Sequence, residues 1–139
     1  MYHTSPNPIT EINKDGLYDD GLFFSSKPYV MTGVVDFVTY EIETDNLEIA
    51  DVWNLDEASK TISDFASFFS IDEDLATDIL MENDNIASYT EDFEDEWITQ
   101  KFQLRAAKEL GFNAVWLRDE QGAALLVSMQ QNLSLIKLV

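Results

Sequence analysis

Charge segregation constrains this chain more than any other feature. Between Asp36 and Glu96 stand 20 acidic residues and one basic residue, Lys60, so this stretch carries the whole formal charge of −19. The flanks on either side hold seven acids and seven bases and sum to zero. Carboxylates at that density cannot be buried without partners, because each would lose its hydration and gain nothing in return. The middle block must therefore fold with its acids outward, on elements that each keep a narrow apolar stripe for the core. The balanced flanks are free to build the rest.

Hydrophobic spacing supports that division. Asp56 is placed to cap a helix burying Ile62, Phe65, Ala66 and Phe69, and Ser70 or Asp72 to open a second helix with Leu75, Ile79 and Leu80 inward. A third helix is predicted from about Glu91 to Leu110. Its stripe is Ile98, Phe102, Ala106 and Leu110, its first turn holds Glu91, Asp92 and Glu94, Arg105 and Lys108 lie late, and Gly111 stops it. The flanks read differently. Tyr2 to Thr4 is a short strand, and Asn7-Pro8 opens a short helix with Ile9 and Ile12 inward, ended by Gly16. Gly21 to Ser25 is a strand closed by Lys27-Pro28. Val34 to Glu43, which runs from the flank into the acidic block, alternates, with Val38, Tyr40 and Ile42 on one face, and turns at Asp45-Asn46. Asn113 to Arg118 leads into the turn Asp119-Glu120-Gln121-Gly122, and Ala123 to Met129 and Leu133 to Val139 are further apolar segments. Strands at both ends with helices between make a single α+β domain over residues 1–139, with no internal repeat.

Several chemistries fall away at once. Without cysteine there are no disulfides and no thiolate metal sites, and one histidine cannot build a zinc centre unaided, so no metal is expected. A carboxylate-only magnesium site finds no supporting spacing. No glycine-rich phosphate loop and no Gly-x-Ser-x-Gly elbow occurs. No apolar run approaches the roughly 20 residues of a membrane span, and the opening residues lack the pattern of a secretory signal, so a cytoplasmic protein is expected. Direct nucleic-acid binding is disfavoured, since it needs a basic patch. Three readings of the acidic block stand: a solvated surface, a field that steers toward a basic partner, and carboxylates standing in for phosphates.

One grouping in the flanks carries chemical potential. His3, the only histidine, is followed by Thr4 and Ser5. Phe23-Phe24-Ser25 lies on a second strand with Tyr29 beyond it, and Asp119-Glu120-Gln121 closes a C-terminal strand. A histidine, aromatic faces and a strand-end carboxylate can together hold a nicotinamide-ribose and stabilise the oxocarbenium-like sugar as nicotinamide leaves. From spacing alone the simpler reading is that the phenylalanines are core and the Asp-Glu-Gln-Gly run is a hairpin turn.

The order of short motifs carries a resemblance. Tyr2-His3-Thr4-Ser5-Pro6, Ile9 and Ile12 before Gly16, and Gly21-Leu22-Phe23-Phe24-Ser25 resemble the opening of ADP-ribosyltransferases of the histidine-tyrosine-glutamate class. With Tyr29-Val30-Met31-Thr32, Val38-Thr39-Tyr40, Ala106-Ala107-Lys108, Leu110-Gly111-Phe112 and Asp119-Glu120-Gln121-Gly122, the chain is more closely similar to the type I-F anti-CRISPR ADP-ribosyltransferase family, used by phages. The matches lie in the first forty and last thirty-five residues; the acidic block resembles the family loosely.

The resemblance implies a split antiparallel sheet from the N- and C-terminal strands and NAD as ADP-ribose donor. It implies that His3 bonds an NAD ribose hydroxyl, that the Thr4 backbone meets the nicotinamide amide, and that Phe23 and Tyr29 bracket the ring. Ser5 and Ser25 flank the same NAD site, and Asp119 is the catalytic carboxylate. Thr4 stands at the usual glycine position, Phe23 replaces the usual tyrosine, and an aspartate in place of glutamate leaves Glu120 or Gln121 as substitutes for Asp119. Lys14 and Lys27, with backbone N–H groups, are the candidates to meet the pyrophosphate. The implied activity is mono-ADP-ribosylation of the PAM-reading subunit of a type I-F CRISPR surveillance complex in the bacterial cytoplasm, which blocks target DNA. The alternatives are a non-enzymatic acidic DNA mimic and an ADP-ribosyltransferase toxin with another target.

Overall fold

The structure, a computed structural model, describes residues 1–5, 8–13, 15–26, 38–92, 94–119, 122–130 and 132–139, with Asp119 described by its backbone alone. Among the described residues seven strands form two sheets. In the first, β1 (Tyr2–Ser5), β3 (Val38–Glu41) and β7 (Lys137–Leu138) lie in the order β1-β3-β7, all antiparallel. The second has the order β2-β6-β5-β4, from β2 (Gly21–Phe24), β6 (Gly122–Ser128), β5 (Ala114–Asp119) and β4 (Ile49–Ala50). Its pairs are antiparallel except β4 with β5, which are parallel. Three helices, α1 (Ser59–Phe69), α2 (Glu73–Leu80) and α3 (Glu94–Glu109), lie between the strands of the two flanks. Among the described residues no helix is long and apolar enough to cross a membrane.

The four-stranded sheet is buried on both faces, as its register dictates. Phe23, Leu126 and Val115 are paired across three strands and face α3, where Leu104, Ala106 and Ala107 meet them. One residue along, Phe24, Leu125 and Trp116 are paired and point the other way, into a cluster with Ile42, Ala114, Val127 and Met129. A third cluster joins the helices to one another through Ile62, Phe65, Ile79, Leu80 and Phe102.

The helices follow the expected stripes, with their ends set by local chemistry. Asp72 caps α2, its Oδ1 accepting from the Leu75 N–H at 2.7 Å. Ser70 instead ends α1 in the left-handed region at φ 55°, with the Ile71 N–H bonded to the Ala66 carbonyl. Gly111 ends α3 in the same way at φ 93°, the Phe112 N–H reaching the Ala107 carbonyl at 2.9 Å. Asp56 is no cap: it lies inside a 3-10 turn, Val52–Glu57, and Ala58 precedes α1. The start of α1 is satisfied from elsewhere. Glu109, at the end of α3, accepts from the Thr61 N–H and hydroxyl, both at 2.8 Å.

Three segments depart from expectation. Residues 8–13 form no helix; the Ile9 N–H donates to the Tyr40 hydroxyl at 2.8 Å, and a helix this short could not recover its nucleation cost. Leu133 to Val139 is not a full strand but a 3-10 turn, Leu133–Leu135, followed by the two-residue β7, because Leu133, Leu135 and Ile136 all turn toward the core and break the alternation. Within the acidic block, β3 falls inside the alternating 34–43 segment, whereas β4 is a strand that the sequence pattern does not suggest. Val34 to Phe37 lie outside the described residues.

Candidate functional site

Among the described residues one backbone bridge joins the two sheets. Tyr2 and Ser25 exchange both backbone hydrogen bonds, at 2.7 and 2.8 Å, and form the isolated antiparallel bridge between β1 and β2. Continuing that ladder would next pair Thr4 with Phe23. Instead the Phe23 carbonyl accepts from the His3 side chain, Nδ1 lying 2.7 Å from the oxygen. The imidazole thus sits in the opening where the sheets part. β3 takes the other edge of β1, pairing His3 with Tyr40 and Thr4 with Thr39. The backbone groups of Thr4, two residues after Tyr2, are therefore directed toward β2 and the opening.

Hydrogen bonding fixes the state of His3. A carbonyl can only accept, so Nδ1 carries the proton and Nε2 of the neutral ring presents a lone pair. Burial lowers the pKa of His3 from its ordinary 6.5, and the Phe23 carbonyl opposes this without reversing it. The ring stands 5.6 Å from that of Phe24, tilted by 50°. His3 and Ser5 line a cleft of about 410 Å³ whose other wall is residues 8–13 and 16–22, including Ile9, Ile12 and Leu22. This volume is at the lower end of small-molecule sites.

The other site residues distribute as follows. Phe23 meets His3 through its carbonyl, while its ring faces the opposite way, edge-on to Tyr18 at 4.8 Å and 88°. That ring lines a second cleft of about 1080 Å³, bordered by Glu82, Glu96, Trp97, Gln103 and Arg118. Ser25 is held by the bridge to Tyr2. The backbone of Asp119 forms the last pair of the β5–β6 ladder with Gly122. Because β6 runs antiparallel to both β2 and β5, the end of β2 and the end of β5 lie at one end of the sheet, where β1 joins. Tyr29, Lys14, Lys27, Glu120 and Gln121 lie outside the described residues. Among the described residues no three acidic or histidine side chains gather as a metal site.

Beside the site is a polar anchor that the sequence reading missed. Asp20 is 3% exposed, and its carboxylate accepts from the Ser128 hydroxyl at 2.5 Å, the Gln130 N–H at 3.1 Å and Lys108 Nζ at 3.3 Å. Burial alone would raise its pKa, but the hydrogen bonds and the lysine charge outweigh burial and hold it below 3.8. Its neighbour Asp19 takes Arg105 bidentately, at 2.7 and 3.0 Å. The only signal in the sequence was an acidic pair just before Gly21, in a flank otherwise balanced in charge.

Comparison with known proteins gives one family and one fold. The family model described as anti-CRISPR type I-F ADP-ribosyltransferase AcrIF11 matches residues 1–135. No curated protein sequence matches the chain significantly. A crystal structure of an anti-CRISPR protein aligns with a TM-score of 0.56 at 21% identity, covering 91% of this chain and 86% of that one. At that identity the likeness is one of fold, and it agrees with an α+β chain built on split antiparallel sheets.

Proposed function

Because the chain belongs to the anti-CRISPR type I-F ADP-ribosyltransferase family, we infer that it transfers ADP-ribose from NAD to the PAM-reading subunit of a type I-F CRISPR surveillance complex. The observation that carries this reading is His3 in the opening between the sheets, its proton committed to the Phe23 carbonyl. A neutral imidazole oriented in this way offers Nε2 as an acceptor to a ribose hydroxyl of NAD. The Thr4 backbone is directed to the same opening and suits the amide of nicotinamide.

In the reaction the bond between C1′ of the ribose and the nicotinamide nitrogen breaks, and its electron pair leaves with nicotinamide, which becomes neutral. Positive charge develops on the sugar, and the Asp119 carboxylate stabilises it. A nucleophilic side chain of the target bonds to C1′ and gives up its proton. Phe23 lends this site its carbonyl, which orients His3; its ring does not share the His3 cleft. A bulky anionic ADP-ribose on a PAM-reading surface would exclude DNA by sterics and by charge.

Incubation with labelled NAD and purified surveillance complex tests the reading. Label is expected on the PAM-reading subunit, and none appearing on any subunit would overturn it. The Asp119→Ala variant is expected to lose transfer by about 10³-fold while keeping its fold, as removal of one charge-stabilising group in an active site does. Unchanged transfer would move the role to Glu120. A stoichiometric DNA mimic would inhibit without NAD.

A further inference from the structure

Group transfer joins two substrates, and among the described residues two clefts share one residue. Tyr18 lines both the His3 cleft and the larger cleft bordered by Phe23, Trp97 and Arg118. No other described residue lines both. Its position is held on every side. Phe23 meets the ring edge-on, the Tyr18 carbonyl accepts from the Gly21 N–H at 2.9 Å, and Gly16 and Asp19 exchange backbone bonds at 3.2 and 3.0 Å around it. The next two residues are fastened to α3, Asp19 by Arg105 and Asp20 by Lys108. Asp19 takes φ 55°, a left-handed conformation that these bonds hold in place. Gly21 is required just beyond: a Cβ there would come within 2.7 Å of Leu104 and 2.9 Å of the Tyr18 carbonyl oxygen.

The hydroxyl is unspent. Tyr18 is half-buried, and among the described residues its oxygen meets no hydrogen-bond partner. Burial raises its pKa above 10.0, so it remains a neutral phenol able to donate and accept. No buried side-chain polar atom lacks a partner among the described residues, so the unpartnered Tyr18 oxygen is open to water or to a ligand. A clamped loop places Tyr18 between the two clefts.

We propose that Tyr18 is the partition between donor and acceptor, contacting the NAD ribose on the His3 side and keeping water from C1′ on the side from which the target enters. The proposal rests on the transferase reading above. With the partition in place, C1′ is reached by the target nucleophile. Without it, water attacks C1′, nicotinamide leaves with its electron pair, free ADP-ribose forms, and one proton passes to solvent.

The experiment measures both products from NAD labelled in its adenosine, with the full chain and purified type I-F surveillance complex. Tyr18→Ala is expected to raise the share of free ADP-ribose over protein-bound label by about fivefold or more, since excluding water is the role removed. Tyr18→Phe keeps the ring and is expected to keep the wild-type partition, while KM for NAD rises by about tenfold for the lost hydrogen bond. Thermal unfolding of each variant reports on the fold, and Tyr18→Leu replaces the alanine variant if that one does not fold. Folded variants with wild-type partition and wild-type KM overturn the proposal. If the wild type neither transfers nor cleaves NAD, the transferase reading itself fails, and the proposal with it.

Discussion

Single residues decide what the site can do, and His3 shows how. Its imidazole is neutral because burial disfavours the charged ring, and one face of its chemistry is committed to the Phe23 carbonyl. Protonation would turn Nε2 from acceptor to donor. Because the folded pKa lies below 6.5, the unfolded chain binds more protons in the interval between the two values. The stability owed to neutral His3 is therefore complete above pH 6.5 and is lost as the pH falls through the lowered value. Urea unfolding of wild type and His3→Phe at several pH values checks this: the wild type should lose more stability than the variant between neutral and mildly acidic pH. At neutral pH, His3→Ala should weaken NAD binding by about tenfold, the worth of one hydrogen bond, read by calorimetric titration. His3 stood out as the only histidine, yet its partner did not. A carbonyl 20 residues away leaves no mark on a sequence, and neither does the direction in which the Phe23 ring turns.

At the scale of elements, legibility followed the reach of the interactions that end each one. The α2 start was readable because Asp72 caps a helix that begins at the next residue, and the α3 stop because Gly111 follows its last turn directly. The start of α1 was not. Its cap is Glu109, 48 residues beyond Thr61, and Asp56 merely resembled a better candidate. Glu109→Ala should therefore cost about 1 kcal/mol, the usual worth of a helix cap, whereas Asp56→Ala should be near neutral; chemical denaturation of the two variants decides. Short strands were hidden for another reason. With two residues, β4 shows no periodicity, and it exists because Ile49 and Ala50 fall beside Ala114 and Val115. The 8–13 segment failed as a helix because its apolar residues answer to Tyr40 and the sheet rather than to their own backbone.

For the whole molecule, the division of charge was legible and the division of labour only partly so. The candidate site draws β1 and β2 from one neutral flank and β5 and β6 from the other. Yet the acidic block also supplies β3, which pairs with β1 directly behind His3. The block is thus part of the scaffold as well as a charged surface. That surface still has a long-range consequence. Twenty acids against one base generate a field that draws a basic partner, and salt screens such a field over about 10 Å at 0.1 M. The kcat/KM for the protein acceptor should fall by about tenfold or more from low to high salt, with KM for NAD far less affected. Equal salt dependence for both substrates would remove the steering role.

The Tyr2–Ser25 bridge has a bearing on time as well as on shape. Two rigid plates joined along a row of bonds move as one, but among the described residues these two share a single backbone pair, so their edges can part without loss of either plate's own ladder. Opening at this joint should be frequent and local, and the amide protons of Tyr2 and Ser25 should trade with deuterium sooner than those inside the long β5–β6 ladder. A dinucleotide spanning the joint would act as a splint. Slowing of exchange at these two amides on adding NAD would then report occupancy of the opening before any bond in NAD is broken.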